Sequence, residues 1–168
     1  LHQARIFQPE LVALYDPDAA DRVRDSLPGC RVVSGPDGLD EAGRYPVDVV
    51  LCALVGAVGL RPLLAAIEAG HRVAIANKEP LVMAGRFVME EAARRGVQVL
   101  PVDSEHSAIF QAMQAGRREE VQRIVLTASG GPFRHHTLEQ LAAVTVEDAL
   151  RHPTWTMGPK ITIDSATM

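Results

Sequence analysis

The nine residues from Val47 to Val55, VDVVLCALV, contain one charge and almost no apolar–polar alternation. A strand wetted on one face alternates every second residue. An unbroken apolar run of this length is instead expected to be buried on both faces, as in a parallel sheet flanked by helices. Shorter β-rich runs recur at Leu11-Tyr15, Arg31-Val33, Arg72-Ala76, Val97-Val102 and Gln122-Thr127. Helical patterns at Asp18-Leu27, Leu60-Glu68, Leu81-Arg95 and Ser107-Met113 separate most of them. Strand, helix and strand at this spacing predict βαβ units and an α/β fold.

The rhythm changes near Pro101. Beyond Thr127 come the SGGPF turn signal, helical patterns at Thr137-Ala143 and Glu147-Leu150, and the loop-like HPTWTMGP with the only tryptophan. The expected organisation is a parallel, Rossmann-like sheet with helices on both faces over 1–102, then the start of an α+β domain over 103–168. With 47% hydrophobic and 23% charged residues, the 168-residue chain has the apolar content for a core. Its net charge of −4 speaks against a nucleic-acid partner. No apolar stretch approaches the roughly 18 residues that cross a bilayer, so no membrane partner is expected. Two cysteines, Cys30 and Cys52, are too few for a disulfide scaffold and suit a reducing cytoplasm. Leu1 in place of Met suggests a start that is missing or processed.

Three strand ends carry chemistry, as they should in an open parallel sheet. Gly56-Ala57-Val58-Gly59 follows the apolar run and opens a helix, so its backbone can approach a phosphate or ribose; equally, it is a tight βα turn. Asn77-Lys78-Glu79 ends the next strand. Its lysine can neutralise a phosphate, or the triplet can be a helix start with Glu79 favoured by the dipole. Asp103-Ser104-Glu105 closes Val97-Val102. In extended chain, residues i and i+2 project to one side, so both carboxylates can converge on a hard cation such as Mg²⁺ or Mn²⁺. The other reading is an Asp N-cap with Glu in the first turn.

Read in order, ANKEPLVMAG, PVDSEHSAIFQ, LTASGGPFR and HPTWTMGPKITIDSATM resemble the 1-deoxy-D-xylulose 5-phosphate reductoisomerase family across essentially the whole chain. The resemblance implies NADPH and Mg²⁺ or Mn²⁺ as cofactors, a phosphosugar substrate, and a homodimer in the full-length enzyme. It implies NADPH contacts at Asn77, Glu79, Met157 and Gly158, and metal ligands at Asp103 and Glu105. Substrate contacts follow at Lys78, Ser104, Glu105, Ser129, His152, Trp155 and Ser165, with Lys78, Asp103, Glu105 and His152 as catalytic residues. Trp155 and Met157 resemble part of a lid.

The implied reaction cleaves and rejoins a carbon–carbon bond before reduction by NADPH. A chelated cation suits the enediolate charge, and hydroxyl and imidazole donors suit a phosphate that orients the reacting carbons. The family's glycine-rich G-S-T-G-S-I-G loop lies upstream of the matched region and its M-N-K-G-L-E segment downstream. The stretch is therefore expected to hold the middle of an active site and neither end, and to be inactive by itself. Two other readings are a homoserine dehydrogenase-like enzyme, against which the DSE and HPTWTMG segments argue, and a non-catalytic module serving folding or oligomer contacts.

Overall fold

Two short parallel ladders organise the N-terminal part of the chain. Leu11–Leu14 (β1) pairs with Arg31–Ser34 (β2), while Val49–Cys52 (β3), Arg72–Ile75 (β4) and Val99–Pro101 (β5) form a second sheet in the order β3-β4-β5. This computed structural model describes residues 1–128 and 130–165. The chain divides into two compact units, Leu1–Phe110 and Gln111–Met168.

The helices that begin in the first unit are His2–Phe7 (α1), Pro17–Arg24 (α2), Gly35–Arg44 (α3), Leu60–Glu68 (α4), Glu79–Arg95 (α5) and Ser104–Ala112 (α6). Local chemistry sets several of their ends. Asp16 caps α2 by accepting the Asp18 N–H at 3.0 Å, with Pro17 at the first helical position. Past α4 the chain reverses through Gly70 at φ 83°, where the His71 N–H reaches the Ala66 carbonyl at 3.0 Å. That turn delivers the chain straight into β4.

The main core lies on one face of the second sheet. Leu63, Ala66 and Ile67 recur at helical spacing on α4 and pack against Val73 and Ile75 of β4 and Val88 and Ala92 of α5. Full burial of Leu63 or Ile67 contributes about 1.5–3 kcal/mol each. A smaller cluster of Ala20, Leu27 and Val32 seats α2 against the first sheet. Helices α3 and α4 lie close together. Arg61 bridges them, reaching Asp37 at 2.8 Å and Asp40 at 2.6 Å and 3.1 Å. Gly43 meets the Pro62 backbone so tightly that an added Cβ would collide with the Pro62 carbonyl oxygen.

Two sequence expectations change here, and one helix was not foreseen. The Val47-Val55 run forms a strand only over Val49–Cys52 and is buried on one face. Val50 and Cys52 face the core, whereas Val49 and Leu51 are 41% and 62% exposed, because the helices packed on β3 cover the other side. Gln122-Thr127 forms no strand among the described residues, and Ile124, Val125 and Leu126 are exposed. An apolar run becomes a strand only where a neighbouring strand takes its N–H and C=O groups. Finally, α3 arises from a glycine-rich segment with no clear helical signal.

The second unit holds Leu138–Leu141 (α7), Val146–Ala149 (α8) and Pro159–Ser165 (α9). Reciprocal capping boxes, Thr137 with Gln140 and Thr145 with Asp148, start α7 and α8.

Alanine for glycine inside a helix ordinarily stabilises by up to about 1 kcal/mol. Gly43→Ala is expected to do the reverse and cost about 1–3 kcal/mol, since its methyl lands on backbone that cannot rotate away; urea unfolding gives the sign. The cysteines should also separate chemically. Burial pushes the Cys52 thiol up to about 11, leaving it protonated at neutral pH, whereas Cys30 is only partly buried. Ellman's reagent should therefore label Cys30 in the native protein and Cys52 only on unfolding. Equal native rates would contradict the packing around β3.

Candidate functional site

Parallel register brings the three polar strand ends together. Cys52 of β3 pairs with Ile75 of β4, and Ile75 pairs with Pro101 of β5. Two further bonds carry the ladder past the strands, from the Ala76 N–H to the Cys52 carbonyl and from the Val102 N–H to the Ile75 carbonyl, both 2.9 Å. The glycine turn, Asn77-Lys78-Glu79 and Asp103-Ser104-Glu105 consequently leave the sheet at the carboxyl end of its strands, all within the first unit.

The turn after β3 is held by side chains of the next strand end. Asn77, 9% exposed, donates its amide to the Leu54 carbonyl at 2.5 Å. Glu79 accepts the Gly56 N–H at 3.2 Å. Gly56 sits at φ 81°, a conformation that favours glycine. Gly59 is needed for a different reason, since a Cβ there would lie 2.8 Å from the Asn77 amide nitrogen and 3.1 Å from the Leu54 carbonyl oxygen. Among the described residues the Asn77 Oδ1 is buried without a hydrogen-bond partner. A buried acceptor beside a turn that excludes side chains fits a ligand's N–H or O–H groups.

Asp103 stands at the second focus. Its Oδ2 lies 3.4 Å from Lys78 Nζ, and its Oδ1 accepts from His106 Nδ1 at 2.8 Å. The His106 backbone N–H also donates to this carboxylate, so the cap reading of Asp103 holds alongside its contacts with the two basic residues. Partial burial alone would push the Asp103 carboxyl up. Lys78 and His106 outweigh it and hold the group below the usual aspartate range. Glu105 follows in the first turn of α6, half-buried, and Ser104 is exposed. Lys78 and Asp103, proposed from separate motifs, thus meet in space. The sequence reading gave His106 no role; its signal was the i, i+3 spacing from Asp103 across a helix start.

The remaining candidates lie in the second unit. His152 Nδ1 accepts the backbone N–H groups of Thr154 at 3.2 Å and Trp155 at 3.0 Å, which fixes a turn and puts the ring proton on Nε2. Trp155 is 63% exposed. Met157 and Gly158 precede α9, where Thr162 donates to the Gly158 carbonyl at 3.0 Å. Ser129 lies outside the described residues, and Ser165 closes α9 with a side chain outside them.

Two family profiles match this sequence: 1-deoxy-D-xylulose 5-phosphate reductoisomerase over residues 1–85, and the C-terminal domain of that enzyme over 99–168. The chain is 56% identical to the reductoisomerase of Geobacillus sp. (strain WCH70) over 164 residues, 96% of this chain and 43% of that one. It is 55% identical to the Heliobacterium modesticaldum enzyme over 100% of this chain and 44% of the relative. Among solved structures, a DOX-P reductoisomerase in complex with NADPH, fosmidomycin and magnesium superposes with a TM-score of 0.87 at 40% identity, over 99% of this chain and 44% of that one. The Zymomonas mobilis enzyme in complex with NADPH also gives 0.87 at 40% identity, covering 99% and 43%. The chain thus spans less than half the length of the relatives it matches.

Asn77→Asp tests the turn directly. It sets a carboxylate oxygen against the Leu54 carbonyl oxygen, whereas Asn77→Ala merely removes the donor. The aspartate variant is expected to be about 1–2 kcal/mol less stable than the alanine variant in urea unfolding. Equal stabilities would mean that the Asn77–Leu54 bond does not hold the turn.

Proposed function

Because the chain belongs to the 1-deoxy-D-xylulose 5-phosphate reductoisomerase family, we propose that it supplies part of the site that converts 1-deoxy-D-xylulose 5-phosphate to 2-C-methyl-D-erythritol 4-phosphate with NADPH and a divalent metal. The observation that carries this reading is the meeting of Lys78 and Asp103 from two neighbouring strand ends. In this assignment 1–102 serves the nucleotide and 103–168 begins the catalytic domain.

The residues present fit both cofactors. The Asn77 Oδ1 beside Gly59, buried with no partner among the described residues, suits close approach of a dinucleotide. Asp103 and Glu105 offer the hard oxygen donors that Mg²⁺ or Mn²⁺ takes together with water and substrate oxygens. When bound, the cation supplies Lewis-acid stabilisation of enediolate charge and NADPH supplies the hydride. Asn77 and Glu79 hold the nucleotide side, joined by Met157 and Gly158. Asp103 and Glu105 present the metal ligands, and His106 keeps the Asp103 carboxylate oriented, as outer partners of metal ligands do. Lys78 and Ser104 bind the sugar's oxygens. Ser129, His152 and Ser165 take the phosphate end, His152 through Nε2–H, because Nδ1 is already committed to its own turn. Trp155, largely exposed, acts as a cover that excludes water during the reaction. The phosphosugar is the proposed small-molecule partner, and homodimerisation is proposed for the longer enzyme. Two free cysteines suit a reducing cytoplasm, and no described helix is long and apolar enough to cross a membrane.

The test is a chimera in which this chain replaces the matching stretch of the Geobacillus sp. enzyme. It is expected to oxidise NADPH when given deoxyxylulose phosphate and Mg²⁺. Asp103→Asn or Glu105→Gln should lower kcat by at least about a hundredfold, while Ser165→Ala should act chiefly by raising KM. Near wild-type kcat in Glu105→Gln at saturating Mg²⁺ would return the Asp103/Glu105 pair to a plain helix cap.

A further inference from the structure

The two oxygens of Asp103 are held very differently. Oδ1 belongs to a local arrangement, with His106 three residues on, at 2.8 Å, and the His106 backbone N–H also donating to the carboxylate. Oδ2 is approached by Lys78, which arrives from the end of β4 and stops at 3.4 Å. Charge-assisted bonds normally close to about 2.7–2.9 Å, so this contact is loose. Its partners are also unequally wetted: the Lys78 side chain is 45% exposed and that of Asp103 only 19%. The ammonium rides on a flexible four-carbon stem and rehydrates easily, whereas the carboxylate stays partly shielded and keeps its need for a cation nearby.

We propose that Lys78 is the resident counter-cation of Asp103 and is exchanged for a divalent cation, so that metal binding frees the ammonium for the anionic substrate. This rests on the metal-ligand reading of Asp103 and Glu105 given above. An ammonium and a metal ion drawn to the same Oδ2 repel each other in one small site, so a cation bound there weakens the Lys78 contact. The exchange favours the doubly charged ion because Glu105, in the same first turn, adds a second arm that Lys78 cannot use as a chelate. An exposed ion pair of this kind is worth at most a factor of about five, so a chelated cation breaks it readily. His106 stays where it is, holding Oδ1 and leaving Oδ2 aimed outward. Lys78 then carries its charge to the phosphosugar, and metal and substrate each strengthen the other's binding, as linkage requires.

The amine itself reports the exchange. Lys160 is the chain's other lysine and serves as an internal reference. The 168-residue chain is acetylated with an N-hydroxysuccinimide ester, with and without Mg²⁺, and the two sites are quantified by peptide mass spectrometry. Mg²⁺ is expected to raise the Lys78-to-Lys160 ratio about threefold or more, within the range such a pair allows. Asp103→Asn should show the raised ratio without metal and no response to it. In parallel, Lys78→Met should bind Mn²⁺ about fivefold more tightly than wild type. Mn²⁺ line broadening of the amides of 103–105 establishes separately whether the metal binds there. Broadening with an unchanged or lower acetylation ratio overturns the exchange and leaves the metal site standing. Absence of broadening at high Mn²⁺ overturns the metal reading and the exchange with it.

Discussion

Three parallel strands ending level with one another are the constraint on which the rest of the candidate site depends. Neighbouring strands lie about 4.8 Å apart, so aligning Cys52 with Ile75 and Ile75 with Pro101 brings the chains leaving β3, β4 and β5 within side-chain reach of one another. A slip of two residues in either pairing would carry Asp103 or Asn77 roughly 7 Å along the strand and out of that reach. The register is in turn set by the core beneath. Val73 and Ile75 must face Leu63, Ile67 and Val88, and a slip of one residue would turn them outward.

On that platform, two anchoring systems operate side by side. Asn77 and Glu79 reach sideways to the turn after β3 and hold it from both ends, at Leu54 and Gly56. Lys78, between them, reaches the opposite way to Asp103 on the far side of β4. A single triplet thus serves both neighbours. The same economy appears at Asp103, which starts α6 and carries the charge that Lys78 and His106 answer. Cap and candidate ligand are one side chain, because a helix start beyond a parallel strand is where backbone donors and open space coincide.

Much of the scaffold was legible. β1, β4 and β5 fall within their apolar runs, β2 runs one residue past its own to Ser34, and α4 spans Leu60–Glu68 as its periodicity predicts. Misses had a common physical origin in partners that a linear pattern does not contain. The segment GPDGLDEAGR has three glycines and poor helix propensity. It is helical in α3 because Leu39 and Gly43 are buried and because Arg61 of α4 binds Asp37 and Asp40; tertiary packing overrode poor propensity. Gln122-Thr127 has strand-like composition but no ladder partner among the described residues, so composition alone did not make it a strand. β3 lacked nothing in apolarity, yet helices cover one of its faces and Leu51 meets water.

What the sequence by itself determined was the set of parts: alternating strand and helix, polar triplets at strand ends, and motifs specific enough to name a family. Those depend on local pattern and residue identity, which a linear chain displays in full. Only the tertiary structure decided which atoms face each other. It put Lys78 on one oxygen of Asp103 and His106 on the other, and left Asn77 Oδ1 buried with no partner among the described residues. It also made Gly59 a matter of clearance from Asn77 rather than of backbone angle. The Lys78–Asp103 and Gly59–Asn77 contacts join residues 25 and 18 positions apart through strand register and helix packing, and a distance of that kind exists only once the sheet has closed.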